Sequence, residues 1–411
     1  MNTNRPENTV PDRDSAKIRF DANLLLIFGV TLMVVMGVSS IIPAFPEIVR
    51  ELDISDRKVG LLISFFALPG VFFAPIMGVI ADRWGRKKLL VPSLLLFGTA
   101  GGACAFVENF NVMLFLRCCQ GIGASTLGTL NVTILSDLYT GNNRTAVLGY
   151  NMSVLSVGTA IYPAMGGALA LYGWRYPFML PFFAIPLGIL VIFFLKNPEP
   201  KNKQKFNEYI GNVMKSVKNK QTIGLFALGI VTFLVLYGSF LTCLPLLLDK
   251  SFGASSLTIG LIMSSVSVTT ALTSTKIGFI TRITSRKVAL ITAFILYTLS
   301  LLMIPFVSAL WGFLIPAVIF GFGMGLAIPC IQSLLTEMAP IKYRAAFMSI
   351  NNMVLRIGQT LGPVLMFFLL TAGGIEGVFY TGAGLSILMI VITRIMIHSE
   401  NSYTTFYRND H

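Results

Sequence analysis

Apolar stretches of about twenty residues with few charges, the length a helix needs to cross ~30 Å of hydrocarbon, follow one another from residue 23 to residue 397. Twelve can be marked: 23–43, 59–81, 89–107, 112–136, 145–170, 176–196, 223–248, 257–279, 287–306, 310–336, 346–371 and 377–397. Lipid offers no partner to a backbone N–H or C=O, so each stretch has to satisfy its own and must be helical. The expectation is an all-α membrane protein with 12 transmembrane helices. Only 12% of residues are charged, about half the share in a soluble domain.

The charges that remain are sorted by side. Of 31 Lys and Arg, 23 fall on the side shared by the two termini, 5 on the other and 3 inside spans. By the positive-inside rule both termini are cytoplasmic and the chain sits in the cytoplasmic (inner) membrane. The net charge of +13 then reads as a topology signal and an attraction to anionic headgroups, not as nucleic-acid binding. Residues 1–22 lack the apolar core of a signal peptide and read, with residues 398–411, as cytoplasmic tails. All five cysteines lie in spans without metal-ligand spacing, and His398 and His411 are in the tail, so no metal or cofactor is expected.

A Lys-rich break at residues 197–222 separates a first bundle, 23–196, from a second, 223–397. Phe206, Ile210, Val213, Met214 and Val217 recur in the break at helical spacing, which fits a helix lying on the inner leaflet; an unstructured tether fits as well. Adding 200 to a position in the first bundle repeatedly reaches its counterpart in the second. Gly121 and Gly123 meet Gly321 and Gly323, Arg86 meets Arg286, Arg144 meets Arg344, and Gly158 and Pro163 meet Gly358 and Pro363. Six spans separate the copies, so they are parallel repeats, and a substrate site is expected between them near the midplane.

The stretch "GVIADRWGRKKLL" sets a cluster of charge between the second and third spans. Its Gly78, Asp82, Arg83, Gly85, Arg86 and Lys87 resemble the G-x-x-x-D-R-x-G-R-K loop of the major facilitator superfamily, and the spans, repeat and central break extend the likeness over the whole chain. The resemblance, nearest to the 12-helix drug:proton antiporters, implies two pseudo-symmetric six-helix bundles that rock about a central site. It also implies that Asp82 latches the cytoplasmic side to the start of the eleventh span, where a helix N-terminus favours a carboxylate. The second copy, "GFITRITSRK", has Arg282 and Ser285 in place of Asp82 and Gly85. Asp137 with Arg144 and Glu337 with Arg344 repeat one spacing at the same rim; they form gating ion pairs, or they only mark helix ends.

Two arginines stand deep in spans, where a charge needs a cavity or a partner. Arg117 lies in "RCCQGIGAS" with Gln120, resembling the family's fourth-helix motif; it contacts substrate or protons there, or it pins backbone carbonyls of the first helix. Arg356 shares a helix face with Asn352 and Gln359. Lys276 is close enough to the inner surface to snorkel. Tyr237 and Phe240, with Phe65 and Phe66, supply either aromatic cavity walls or plain packing. "GTAIYPAMGG" resembles the exporters' fifth-helix motif through Gly158, Pro163, Gly166 and Gly167, a set suited to close contact and a hinge, although Tyr162 occupies a place usually held by Gly.

The first span contains no Asp or Glu, so proton coupling rests on the resemblance alone. No G-x-x-x-x-G-K-[ST] stretch and no intramembrane acid pair or His is present, which disfavours an ATP-driven pump and an enzyme. The function expected is a monomeric secondary transporter in the lipid bilayer, exporting a small amphiphilic or drug-like molecule, with protons as coupling ion. A carrier of an organic anion or lipid-like substrate is the alternative, and a non-transporting membrane sensor a further one.

Overall fold

The computed structural model describes residues 21–196, 219–339 and 344–397, and among them every regular element is helical. The tails and the 197–218 break, with its amphipathic pattern, lie outside the described residues. The first half is built of α1 (Ala22–Ser39), α2 (Leu61–Trp84), α3 (Arg86–Ala103), α4 (Phe110–Leu138), α5 (Gly141–Ala170) and α6 (Ala184–Phe194). The second half has α7 (Lys220–Val235), α8 (Ser256–Thr275), α9 (Arg286–Met303), α10 (Leu314–Met338) and the long run α11 (Arg344–Met396).

Ten helical segments among the described residues are long and apolar enough to cross a membrane, fewer than the twelve marked on the sequence. Two features account for the difference. The amide, hydroxyl and glycine positions of α4 dilute its hydropathy, and it is not among the ten. The 53 residues of α11 run on through Gly374, whose φ of 64° and ψ of −166° break the helix into two limbs. A residue with a Cβ is strained at such an angle; glycine is not.

The repeat seen in the sequence recurs as packing. A Cβ on Gly121 would lie 2.1 Å from the Phe66 carbonyl oxygen of α2, and one on Gly123 would lie 2.7 Å from the Ser93 carbonyl of α3. In the second half, Gly321 and Gly323 stand similarly close to the Val266 and Ala293 carbonyls of α8 and α9, at 2.6 and 2.9 Å. Small residues thus let α4 and α10 approach their neighbours backbone to backbone, the usual basis of helix contact in lipid. Ionic contacts repeat too. Arg86 pairs with Asp137 and Arg286 with Glu337, while Lys87 and Lys287 donate to the Leu195 and Arg394 carbonyls at 2.9 and 3.0 Å. In each half the third helix is thereby tied to the ends of the fourth and the sixth.

Two helix pairs join the halves. Along α2 and α11, Ser64 donates to the Thr360 carbonyl at 2.8 Å, and Gly60 sits against Pro363 and Thr242. Along α5 and α8, Pro163 has no N–H, and its carbonyl oxygen stands 2.3 Å from where a Cβ on Gly260 would be. The next amide, that of Ala164, donates across the seam to Ser264 Oγ at 3.1 Å. These contacts occupy the portion of the seam away from the chain termini. Towards the termini, Gly149 of α5 and Gly278 beyond α8 have nothing within 4 Å of a notional Cβ.

Candidate transport site

Arg117 is 1% exposed and enclosed by the first half. Its Nη1 donates to the Gly37 carbonyl at 2.8 Å and to Gln120 Oε1 at 2.6 Å, and its Nε donates to the Leu62 carbonyl at 3.1 Å. The guanidinium lies 4.5 Å over the Phe66 ring, a cation–π contact strengthened by its desolvation. Gly37 is in the last turn of α1, where carbonyls lack intrahelical partners, and Pro43 follows closely without an N–H to offer. Arg117 therefore completes the broken end of α1. Of the two readings open on the sequence, this geometry matches the pinning of first-helix carbonyls. Gln120 turns towards α3, its Nε2 standing 2.2 Å from where a Cβ on Gly101 would be.

Arg356 is differently placed. It is half-buried on α11 and lies across α2, where a Cβ on Gly70 would be 3.1 Å from its Cδ. Its Nη1 donates to Gln359 Oε1 at 3.1 Å, and Gln359 Nε2 donates to the Tyr237 hydroxyl at 3.2 Å. Tyr237 belongs to a π-helical segment, Leu236–Cys243, and stacks on Phe233 with centroids 5.9 Å apart. Such π-turns often mark functional sites because the extra residue re-aims a side chain. The two deep arginines thus part: Arg356 lies at the seam and Arg117 is enclosed by the first half. Asn352 is exposed.

Phe240 is fully buried and stacks on Phe320 at 4.4 Å, which in turn stacks on Tyr297 at 4.6 Å. It therefore belongs to the core of the second half and not to a cavity wall. Phe65 is half-buried, and Phe66 serves Arg117.

In the fifth-helix motif, a Cβ on Gly166 would lie 1.9 Å from the Ser40 carbonyl and one on Gly167 would lie 2.3 Å from that of Ser256, while Gly158 faces Leu32. The motif thus fixes how closely α5 approaches the end of α1 and, across the seam, the start of α8.

At the rim bearing the termini, Gly85 turns the chain between α2 and α3 with φ of 96°. The surroundings of Gly78 and the side chains of Asp82, Arg83 and Arg344 lie outside the described set. Asp137 and Glu337 pair with Arg86 and Arg286 within their own halves, and Arg144 is exposed. Asp21 joins α1 to the end of α4, accepting from Leu24 N at 2.9 Å and from the Tyr139 hydroxyl at 2.7 Å. Burial alone would raise its pKa, but these bonds, with that from Asn23 and the Lys196 charge, hold it below the ordinary carboxylate value.

The opposite rim holds contacts the sequence reading missed. Arg50 donates to both carboxylate oxygens of Asp249 at 2.8 and 2.7 Å, Lys250 pairs with Asp56, and Ser256 donates to Glu47. Each joins one half to the other. Their charges could be read at span ends, but which faces which depends on how the halves meet. Exposed pairs contribute about 0–1 kcal/mol each. Arg50→Asp should therefore shift the balance between open and closed forms by about fivefold at most, and adding Asp249→Arg should restore it, as measured by a double-mutant cycle on transport rate. A charge-reversed double variant no better than the single one would remove the pair from gating.

A second missed feature is a buried polar cluster: Asn131 Nδ2 donates to Thr31 Oγ1, which donates to Asn151 Oδ1. It links α4, α1 and α5. The repeat offered a signal, since Asn351 follows Asn151 by 200 residues.

Two repeated helical halves meeting along glycine-lined seams have the build of a membrane carrier. The sequence profile of the Major Facilitator Superfamily matches residues 27–249 and 225–406, and the chain belongs to that family. It is 26% identical to the bacillibactin exporter of Bacillus subtilis (strain 168), covering 92% of this chain and 97% of that one. It is 24% identical to the quinolone resistance protein NorA of Staphylococcus aureus (strain MSSA476), covering 91% and 94%. The crystal structure of a mutant of the nucleoside transporter NupG superimposes with a TM-score of 0.74 at 14% identity, covering 92% of this chain and 99% of that one. The chain is a multi-pass membrane protein and resembles the drug-efflux members of its family.

Proposed function

We propose that this protein is a secondary transporter with twelve spans that exports a small amphiphilic or drug-like molecule by alternating access, its termini in the cytoplasm. The observation that carries the reading is the way the halves are joined. Ion pairs and backbone-close glycines tie them together on the side away from the termini. With the positive-inside orientation, the rim held shut by these contacts is the outer one, as a form that loads from the cytoplasm requires. The export direction draws on the two exporters it resembles.

Arg356, Gln359, Tyr237 and Asn352 are the side chains proposed to meet cargo, and Arg117 with Gln120 to hold the first half rigid beside them. Asp82 and Arg83, between Gly78 and Gly85, are proposed to close the cytoplasmic rim in the other form. The paired charges Arg86–Asp137 and Arg286–Glu337 would brace each half, and Arg144 and Arg344 would engage on closure. Purified protein in proteoliposomes should move ethidium against its gradient when a pH gradient is imposed. Asp82→Asn should slow that movement while the protein stays folded. Ethidium flux indifferent to the pH gradient would remove proton antiport, and absence of flux for ethidium and for an organic anion alike would remove the transporter reading.

One observation favours the alternative, an organic anion as cargo: Arg356 at the seam takes part in no ion pair to a carboxylate among the described residues. A guanidinium in a partly desolvated site attracts carboxylate or phosphate. If the cargo is anionic, Arg356→Ala should weaken its uptake by about tenfold or more, as for a lost charge-assisted hydrogen bond of about 1.5–3 kcal/mol. Unchanged anion uptake with slowed ethidium movement would return the site to the first reading.

A further inference from the structure

Asn351 of α11 is 1% exposed, and neither its Oδ1 nor its Nδ2 has a partner among the described residues. A buried carboxamide left wholly unpaired in a low-dielectric setting is costly, and structures rarely tolerate one without a reason. It borders a cavity of about 10 Å³, at the threshold for holding one water. Thr232 and Phe233 of α7, Gln332 of α10 and Leu355 of α11 help complete the wall, and no charged side chain among the described residues takes part.

The first half supplies the comparison. There a hydroxyl on α1, a carboxamide on α4 and a carboxamide on α5 close on one another, with Thr31 Oγ1 seated between Asn131 and Asn151. In the second half the same three kinds of group stand on the corresponding helices, as Thr232, Gln332 and Asn351. There the cluster is open. Thr232 Oγ1 donates to Met389 Sδ at 3.7 Å, a weak acceptor that a stronger one can displace, and the three residues line one cavity with no hydrogen bond from Asn351 to either of the others.

The cavity adjoins the seam site. Asn351, Leu355 and Gln359 fall at intervals of four on one stripe of α11. Phe233, which lines the cavity, carries the Tyr237 ring on its face. A molecule lying along Arg356 and Tyr237 could therefore project a small group towards Asn351.

We propose that Thr232, Gln332 and Asn351 form a subsite for one uncharged hydroxyl oxygen, supplied by water in the empty carrier and by a hydroxyl group of the cargo in the loaded one. This rests on the transporter reading above. The subsite would favour hydroxylated over alkylated cargo of the same shape, because a methyl cap both overfills the cavity and cannot donate to the Asn351 oxygen.

The test is equilibrium binding of 7-hydroxycoumarin and 7-methoxycoumarin to the full chain in detergent, at a pH where the hydroxyl is un-ionised. The wild-type protein should prefer the hydroxy compound by about tenfold, as for a net hydrogen bond with a steric contribution added. Asn351→Leu should bring the hydroxy compound down to the affinity of its methoxy analogue. Thr232→Val, which keeps the side-chain shape, should do the same in part and decides the matter if the leucine variant fails to fold. Equal affinities in the wild type would mean the cavity holds water alone, and a preference that survives in a folded variant would place the discrimination elsewhere; either overturns the subsite. Ethidium movement in proteoliposomes is read separately, so a carrier that moves ethidium without telling the coumarins apart loses the subsite and keeps its function.

Discussion

Arg117→Met should lower the stability of the ligand-free protein by about 3 kcal/mol, the scale of a buried polar group left without its partner. The reasoning starts at the end of α1. That helix stops at Ser39, inside a segment long and apolar enough to cross a membrane, where the Ser40 and Ile41 amides reach the Met36 and Val38 carbonyls and leave that of Gly37 to a side chain. In water that carbonyl would be solvated; at this depth it needs a donor from the protein. The Gly37 carbonyl receives Arg117 Nη1, and the same guanidinium holds Leu62 of α2 and Gln120. Methionine fills the volume but offers no donor, so α1 loses its anchor to α2 and α4. Lysine should fall between the two, since an ammonium can reach one carbonyl but cannot span them as the planar fork does. Thermal melting without added ligand checks this. A melting temperature equal to that of the wild type, with cargo binding lost, would assign Arg117 to the cargo instead.

Gly167→Val should lower transport by about 5–150-fold, the range that about 1–3 kcal/mol of differential strain gives a two-state equilibrium. The first atom of the new side chain would fall 2.3 Å from the Ser256 carbonyl oxygen. That oxygen is backbone at the start of α8 and cannot swing aside as a side chain could, so the two halves must separate there. The strain acts on the form in which α5 and α8 touch at that rim and spares the form in which they part. Gly260→Val should act in the same direction from the other side, against the Pro163 carbonyl at 2.3 Å. Gly149→Val is the control for folding, because nothing lies within 4 Å of its notional Cβ, and its melting temperature should match the wild type. Transport by Gly167→Val at the wild-type rate would show that this contact is not formed and broken in each cycle.

The architecture was readable in the sequence because lipid leaves few choices. The repeat of Gly121 and Gly123 at Gly321 and Gly323 became the same two helix contacts in each half, as glycine spacing on a helix face demands. The gap marked between 371 and 377 fell on Gly374, where the helix breaks. The site was less legible. Arg117 and Arg356 look alike as deep arginines, yet one ends among the carbonyls of its own half and the other lies on the partner half at Gly70. Phe240 and Tyr237 are three residues apart, but the π-helical segment between α7 and Leu244 sends one into an aromatic stack and the other to Gln359. Ordinary helical spacing does not anticipate that turn.

By itself the sequence determined the membrane setting, the helical content, the duplication and the family, because each follows from local pattern: hydropathy, charge by side, and a motif that recurs at a fixed interval. Only the tertiary structure decided which charges face each other. Asp137 took Arg86 as a partner, Arg50 found Asp249 across the seam, and Asn151 was satisfied while Asn351 was not. The physical reason is that a polar group in lipid must find a partner within about 3 Å. Which partner comes that close is set by how whole helices cross, a property no short window of sequence contains.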